Sequence, residues 1–353
     1  MDQTPKGKNI VVTGGAGFIG SHVCVELLNA HYNLLVIDDF SNSSPVSLDR
    51  VLEITGINDR QRLQILKADM ADHGQNELIT KRIIDFNPQG AIHMAGLKAV
   101  GESVAQPSRY YRVNINATHT LMDAMAACGG GNVVFSSSAT VYGDLNESPV
   151  DETGNTGPTN PYGQTKFMIE QILEDIARAD KSFKICNLRY FNPVGAHSSG
   201  KIGEDPNDIP NNLFPYIAQV AVGRREKLSV YGNDYPTHDG TGVRDYIHVS
   251  DLANGHLKAL EYLEESASPS ISRFNLGTGI GYSVLDVVNA FGKAAGREIP
   301  YQVTDRRDGD IATIYANAAR ANKLLGWQAH KEIEDMCADH WRWQSNNPNG
   351  YKG

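Results

Sequence analysis

Short apolar runs of strand length alternate with amphipathic stretches of helix length through the first half of the chain. The runs NIVVT (9–13), LLVID (34–38), LQILKA (63–68), AIHMA (91–95) and NVVFSSS (132–138) are β-branched, brief and bounded by turn residues, which predicts strands. Between them GSHVCVELLNA, HGQNELITKRIIDF and YYRVNINATHTLMDAMAAC carry apolar residues at helical spacing. A strand–helix alternation kept up this long predicts a parallel sheet with right-handed crossovers and helices on both faces. After FKICNLRYF, near Gly195, the rhythm loosens into text rich in Gly, Pro, Asn and Asp, with helical patterns at LFPYIAQVAVG, VSDLANGHLKALEYL and VLDVVNAFGKAAG. The fold class read from this is α/β: a doubly wound, Rossmann-type parallel sheet followed by a smaller mixed α/β C-terminal part that hangs ligand-binding loops over the sheet edge. The expected division is 1–192 and 193–353, with the chain crossing between the two more than once.

Composition narrows the classes of function. Of 353 residues, 41% are hydrophobic and 21% charged, an ordinary globular balance. The formal net charge of −9 argues against a nucleic-acid or membrane-surface role, since both need Lys and Arg facing phosphate. Cys24, Cys128, Cys186 and Cys337 are far apart, without C-x-x-C spacing or flanking histidines, so they read as core thiols and no metal site is expected. The N-terminus lacks the apolar stretch of a leader and no run reaches membrane-spanning length, so a cytoplasmic location is expected.

The first chemical motif is VVTGGAGFIGSH, in which Gly14, Gly17 and Gly20 stand between the first strand and first helix. Glycines there permit a tight turn and close approach of the backbone to a pyrophosphate, which also meets the helix N-terminal amides. Asp38 ends the second strand, eighteen residues past Gly20, where a carboxylate accepts from both ribose hydroxyls and selects NAD over its 2′-phosphorylated analogue. Asp39 adds a second negative charge against a phosphate.

With a nicotinamide in place, NPYGQTK (160–166) acquires a reading. Tyr162 and Lys166 lie four residues apart, on one face of a helix. A tyrosine with a pKa of about 10 needs roughly 4 kcal/mol in favour of the phenolate to act as a base near neutrality. A neighbouring ammonium and a nicotinamide cation both act in that direction. Tyr162 then takes a proton from a substrate hydroxyl while hydride leaves the same carbon, and Lys166 also holds the nicotinamide ribose. Ser138, in the hydroxyl row FSSSATVYG at a strand's carboxyl end, orients the reacting oxygen.

Glycine turn, ribose acid, serine row and Tyr–Lys pair in this chain order resemble the extended short-chain dehydrogenase/reductase family. HMAGLKAVGES, SSSATVYGD, NPYGQTK, LRYFNPVGAH, GEDPNDIPNNLFPYIAQVAVGRR, YGNDYPTHDGTGVRDYIHVSDLANGH and FNLGTG are similar, within it, to the UDP-glucose 4-epimerase (UDP-galactose 4-epimerase) family from about residue 9 to 345. Two departures stand out. Asp38-Asp39 replaces a common Asp-Asn, and Met94 replaces a common Phe.

The resemblance implies a UDP-hexose substrate whose C4 is oxidised by NAD to a 4-keto sugar, turned over, and reduced on its other face. Catalysis falls to Tyr162, Lys166 and Ser138. It places the cofactor against Gly14, Gly17, Phe18, Ile19, Gly20, Asp38, Asp39, Asn42, Ser43, Asp69, Met70, Met94, Ala95, Gly96, Lys98, Asn114, Ser136, Tyr190 and Phe191 besides Tyr162 and Lys166, with Lys98 on the cofactor diphosphate. For the substrate it implies Ser138, Ala139, Thr140, Tyr162, Phe191, Asn192, Asn212, Leu213, Ser229, Val230, Tyr231, Arg244, Arg307, Asp310 and Ile314. Arg244 and Arg307 suit a diphosphate as planar bidentate donors, Asn192 and Asn212 add neutral hydrogen bonds, Tyr231 stacks on uracil, and Asp310 accepts from the uridine ribose. Ile314 forms part of the wall facing the sugar's C2 substituent. A homodimer joined through two helices of the larger domain is the family habit. The competing readings are another nucleotide-sugar enzyme, a 4,6-dehydratase or decarboxylase, and a non-catalytic NAD-binding sensor. The former commonly carries Asp-Glu or Ser-Glu where this chain has Ala139-Thr140, and the latter typically loses the Tyr or Lys.

Overall fold

The computed structural model describes residues 7–207, 210, 212–266, 271–307 and 310–352. Its strands are β1 (Asn9–Thr13), β2 (Asn33–Asp38), β3 (Leu63–Lys67), β4 (Gly90–His93), β5 (Gly131–Ser136), β6 (Phe183–Tyr190), β7 (Asn192–Val194), β8 (Leu228–Tyr231), β9 (Val243–His248), β10 (Ile271–Leu276), β11 (Gly281–Ser283), β12 (Tyr301–Thr304) and β13 (Thr313–Ile314). The helices are α1 (Phe18–Asn29), α2 (Pro45–Thr55), α3 (Asn76–Phe86), α4 (Val100–Ala105), α5 (Pro107–Ala127), α6 (Pro161–Ala179), α7 (Leu213–Ala221), α8 (Val249–Glu265), α9 (Val284–Ala295), α10 (Ala319–Leu325) and α11 (Ile333–Asn346).

Seven parallel strands make the main sheet in the order β3-β2-β1-β4-β5-β6-β10, so the order reverses between β1 and β4. Ligands of open α/β sheets bind at the carboxyl ends beside such a reversal. Alternate side chains serve opposite faces: Ile10 and Val12 join α1, α2 and α8 in one core, whereas Val11 joins α3, α5 and α6 in the other. Both faces are therefore covered, as the near-continuous apolar strands require.

Five sequence-read strands are present with shifts of a residue or two at their ends. Helix α2 escaped the reading. Its segment PVSLDRVLEIT buries only Ser47, Leu48 and Val51, too sparse a stripe to stand out beside its charges. The second half of the chain is divided more deeply than the rhythm implied. Helix α8 packs on α1, and β10 pairs in parallel with β6 (Ile271 with Ile185 through Leu276 with Tyr190), completing the first sheet from beyond residue 192. The remainder forms two small sheets, one built on β9 with β7, β11 and β13 and the other pairing β8 with β12, over a third core of α7, α9 and α11 centred on Phe214, Phe291 and Met336. No helix among the described residues is long and apolar enough to cross a membrane.

Candidate active site

The glycine turn joins β1 to α1 in the way the motif predicts. Gly14 has φ +70°, and a Cβ on it would stand 2.8 Å from Ala95 N, while one on Gly20 would stand 2.2 Å from Gly14 O. Larger residues would push the turn off the sheet. Helix α1 starts at Gly17 with no side-chain cap, which leaves its first amides, at Phe18 and Ile19, open to an anion. Asp38 is buried at the end of β2; Oδ2 accepts from Ala16 N at 2.9 Å, and Oδ1 from Phe40 N at 2.9 Å and Ser43 Oγ at 2.8 Å. The turn, the open amides and the neighbouring carboxylate fit a dinucleotide. Asp39 and Asn42 lie in the loop after β2, Asp69 and Met70 after β3, and Met94, Ala95 and Gly96 after β4, all at carboxyl strand ends. So do Ser136, Tyr190 and Phe191.

Helix α6 begins where Asn160 Oδ1 accepts from Gly163 N at 2.9 Å, with Pro161 in the first turn. Gly163 allows a close approach, since a Cβ there would meet Thr140 O at 3.0 Å. The start of α6 therefore presses on Ser138–Tyr142, a short 3₁₀ turn capped by Ser138 Oγ, which accepts from Thr140 N. Tyr162, Ser138 and Lys166 converge there, all buried. Thr140 Oγ1 is buried beside them without a hydrogen-bond partner.

Electrostatics at this point depart from the sequence reading. Burial dominates, pushing Tyr162 up to about 12 against a smaller downward pull from the Ser138 hydroxyl. The same burial lowers Lys166 to about 8. Lys166 Nζ donates to Ser136 O at 2.8 Å and lies 5.8 Å from the Tyr162 ring centroid. The ammonium alone does not bring the phenol toward neutrality, so further positive charge is needed beside it.

Two networks set this geometry, and the sequence reading missed both. Glu170, inside the buried arc of α6, receives Arg189 from β6 through Nε at 2.9 Å and Nη2 at 2.6 Å, with Ser137 Oγ as a further donor. A charged residue between Ile169 and Leu173 was the available signal. The second runs from β1 to α6. Thr13 Oγ1 lies 2.7 Å from His93 Nδ1, His93 Nε2 3.0 Å from Thr118 Oγ1, Asn114 Nδ2 donates to Thr165 Oγ1 at 3.0 Å, and Thr165 Oγ1 to Tyr162 O at 2.7 Å. Thr13 Oγ1 also accepts from the Met94 and Ala95 amides, which leaves its proton for His93 Nδ1. Burial keeps His93 neutral, lowered to about 3. Asn114 uses Oδ1 and Nδ2 on Leu97 and Thr165, which makes it a positioning residue in this arrangement.

The smaller lobe gathers the remaining residues. Tyr231 ends β8, with the Arg307 guanidinium 3.8 Å from its ring centroid, and Arg244 Nη2 lies 3.7 Å from Asp310 Oδ1. The adjacent Arg306 instead pairs with Asp234 and covers Tyr235, a distinction no spacing in DRRDGD reveals. Ser229 and Val230 precede Tyr231 on β8, Asn192 stands on β7, and Asn212 with Leu213 opens α7. Lys98 Nζ pairs at 2.9 Å with the buried Glu204, which also receives Asn212 Nδ2 at 3.1 Å. Ile314, registered beside Arg244, packs on the cluster containing Ala139, Val141 and Phe191. His238, Asp239 and Asp286 form a separate group in which both carboxylates are engaged at the Ser283 cap of α9.

The fold and this convergence define a Rossmann-type enzyme of the short-chain dehydrogenase/reductase kind. The GDP-mannose 4,6 dehydratase family model matches residues 11–340. The chain is 57% identical over 343 residues to UDP-glucose 4-epimerase of Bacillus subtilis (strain 168), covering 97% of this chain and 98% of that one. To the Homo sapiens UDP-glucose 4-epimerase it is 53% identical over 351 residues, 98% of each chain. The crystal structure of UDP-glucose 4-epimerase from Bifidobacterium longum in complex with NAD+ and UDP matches with a TM-score of 0.92 at 50% identity, covering 97% of this chain and 100% of that one. Within the broader dehydratase-named group, the chain belongs to the UDP-glucose 4-epimerase family.

Proposed function

We infer that this chain catalyses reversible C4 epimerisation of UDP-sugars, UDP-glucose with UDP-galactose, using tightly held NAD. The observation that carries the residue assignment is the convergence of Ser138, Tyr162 and Lys166 at the carboxyl end of β5, the strand next to β4. NAD, held by the glycine turn and Asp38, would supply the reversible hydride acceptor for C4, and its positive charge would favour the Tyr162 phenolate. Tyr162 accepts the C4 hydroxyl proton and gives it back after the keto sugar has turned. Ser138 donates to the C4 oxygen, and Lys166 holds the ribose while adding its charge. Phe18, Ile19 and Lys98 face the cofactor diphosphate, and Asp38 with Ser43 the adenosine ribose.

Substrate anchoring falls to Arg244 and Arg307 on the diphosphate, Tyr231 on uracil, Asp310 on the ribose, and Asn192 and Asn212 beside them. A firm hold on UDP with a loose one on the hexose lets the keto sugar turn without leaving. Residues 139–140 carry no carboxylate for water elimination, which disfavours a dehydratase. Residues 1–192 mainly serve NAD and 193–353 mainly the UDP-sugar, with α8 and β10 returning to the first sheet. A homodimer through α5 and α6, whose Tyr111, Ile115 and Ile172 are only partly buried, accords with family habit, and a cytoplasmic location accords with the four free thiols.

The test is incubation with UDP-galactose and no added reductant. UDP-glucose is the expected product, and Tyr162→Phe should keep NAD and UDP binding while losing at least about 10²-fold in rate. Near-normal turnover by that variant would remove Tyr162 from the mechanism.

A further inference from the structure

Residues 200–207 leave the smaller lobe and cross the carboxyl edge of the main sheet. At one end Asn207 Nδ2 donates to Ser41 O at 3.0 Å, just beyond β2. Midway along it, Glu204 Oε1 accepts from Lys98 Nζ at 2.9 Å, beyond β4, so residues 204–207 span the two loops. Strand β1 and its glycine turn lie between those two points. Lys201 pairs with Glu53 of α2 at 2.8 Å.

The C-terminal residues fasten this crossing from outside. Tyr351 N donates to Asp205 Oδ2 at 2.8 Å, the Tyr351 hydroxyl accepts from Gly203 N at 3.2 Å, and Asn347 Nδ2 donates to Gly200 O at 3.0 Å. Arg50, on α2, completes the fastening. Its Nη1 donates to Lys201 O at 2.8 Å and Asn347 Oδ1 at 2.7 Å, and its guanidinium lies 5.1 Å from the Tyr351 ring centroid.

We propose that residues 200–207 are a strap over the cofactor, fastened by Arg50 and Tyr351, and that these two residues set how long NAD stays bound. This rests on NAD lying across the glycine turn as inferred above. A cofactor regenerated in every cycle has no reason to leave. Of the UDP-sugar residues, Tyr231, Arg244 and Arg307 belong to β8, β9 and the loop after β12, outside the strap, and Asn212 meets it, among the described residues, only through Glu204 Oε1 at 3.1 Å, so turnover does not require the strap to open. Release does, because the strap joins the loops after β2 and β4 that flank the turn.

The experiment measures NAD remaining on the protein, by chromatography of acid extracts, at intervals during continuous dialysis. Arg50→Ala and Tyr351→Ala should lose NAD at least about 10-fold faster than the unaltered chain, as expected from losing one or two hydrogen bonds with their packing, while initial turnover in excess NAD stays unchanged. Asn207→Ala and Lys201→Ala, on the exposed side, carry the same expectation should Tyr351→Ala fail to fold. Unaltered loss rates in the folded variants overturn the strap. So does equal acceleration by Lys8→Ala, which removes a remote ion pair with Glu264 and reports general loosening. An unaltered chain that neither carries nor takes up NAD overturns the cofactor placement itself.

Discussion

Burial moves the two ends of the Tyr162–Lys166 pair in opposite directions, and the consequence is measurable in the cofactor-free protein. Unfolded, Lys166 keeps its proton up to its ordinary 10.5; folded, it loses it at about 8. Between those values the unfolded state binds more protons, so stability rises with pH across that window, and below it the full cost of a buried ammonium is present. That cost is roughly 3 kcal/mol, offset in part by the bond to Ser136 O. Lys166→Met should therefore abolish activity yet raise stability at pH 7 by about 1–2 kcal/mol, an advantage that fades between pH 8 and 10.5. Urea unfolding at pH 7 and pH 10 reads it, and a variant less stable at both would refute the burial argument. Ile314 poses a different question. It is β-branched and stiff at χ1, and it packs on the cluster that contains Phe191 and Ala139, so it does not readily swing aside. An N-acetyl group at C2 should cost about 1–3 kcal/mol, roughly 10- to 200-fold in discrimination. Ile314→Tyr should abolish activity on UDP-N-acetylgalactosamine and spare UDP-galactose, whereas Ile314→Ser should raise the former. An unchanged ratio in both variants returns Ile314 to a packing role.

Helix α6 shows how one element carries two chemical groups only if its placement is rigid. The Asn160 cap and Pro161 decide where it starts, Gly163 how close it comes to the Ser138 turn, and Glu170 how it is locked to β6. The Glu170–Arg189 pair is almost fully buried, so removing one partner strands a charge. Glu170→Ala is expected to destabilise by about 3–5 kcal/mol. Replacing both residues with Met should recover much of that stability while leaving turnover low, because the bidentate geometry that orients α6 is lost. Denaturant midpoints and kcat in the single and double variants separate the two effects.

At the scale of the molecule, the return of α8 and β10 to the first sheet makes the two halves of the chain interdependent. Val23 and Leu27 of α1 share a core with Leu252, Leu257 and Leu260 of α8, and Phe274 and Leu276 of β10 complete it. A fragment of residues 1–192 would expose that face and the free edge of β6, a template for aggregation. It should show no cooperative unfolding and should associate in sedimentation experiments, whereas the full chain unfolds cooperatively. A monomeric, cooperatively folding fragment would contradict this view of the architecture.

The sequence by itself determined what depends on neighbours in the chain. Strand and helix periodicity, the glycine turn with Asp38 at the end of the next strand, and Tyr162 four residues before Lys166 are local patterns, read directly from spacing. Tertiary structure decided whatever depends on partners distant in sequence. It brought β10 beside β6, matched Glu170 with Arg189 and Glu204 with Lys98, and turned Arg307 rather than Arg306 toward Tyr231. It also buried Tyr162 and Lys166 together, and burial raises the phenol against the pull expected from the ammonium, because the depth of burial is a property of the packed core and no spacing of residues encodes it.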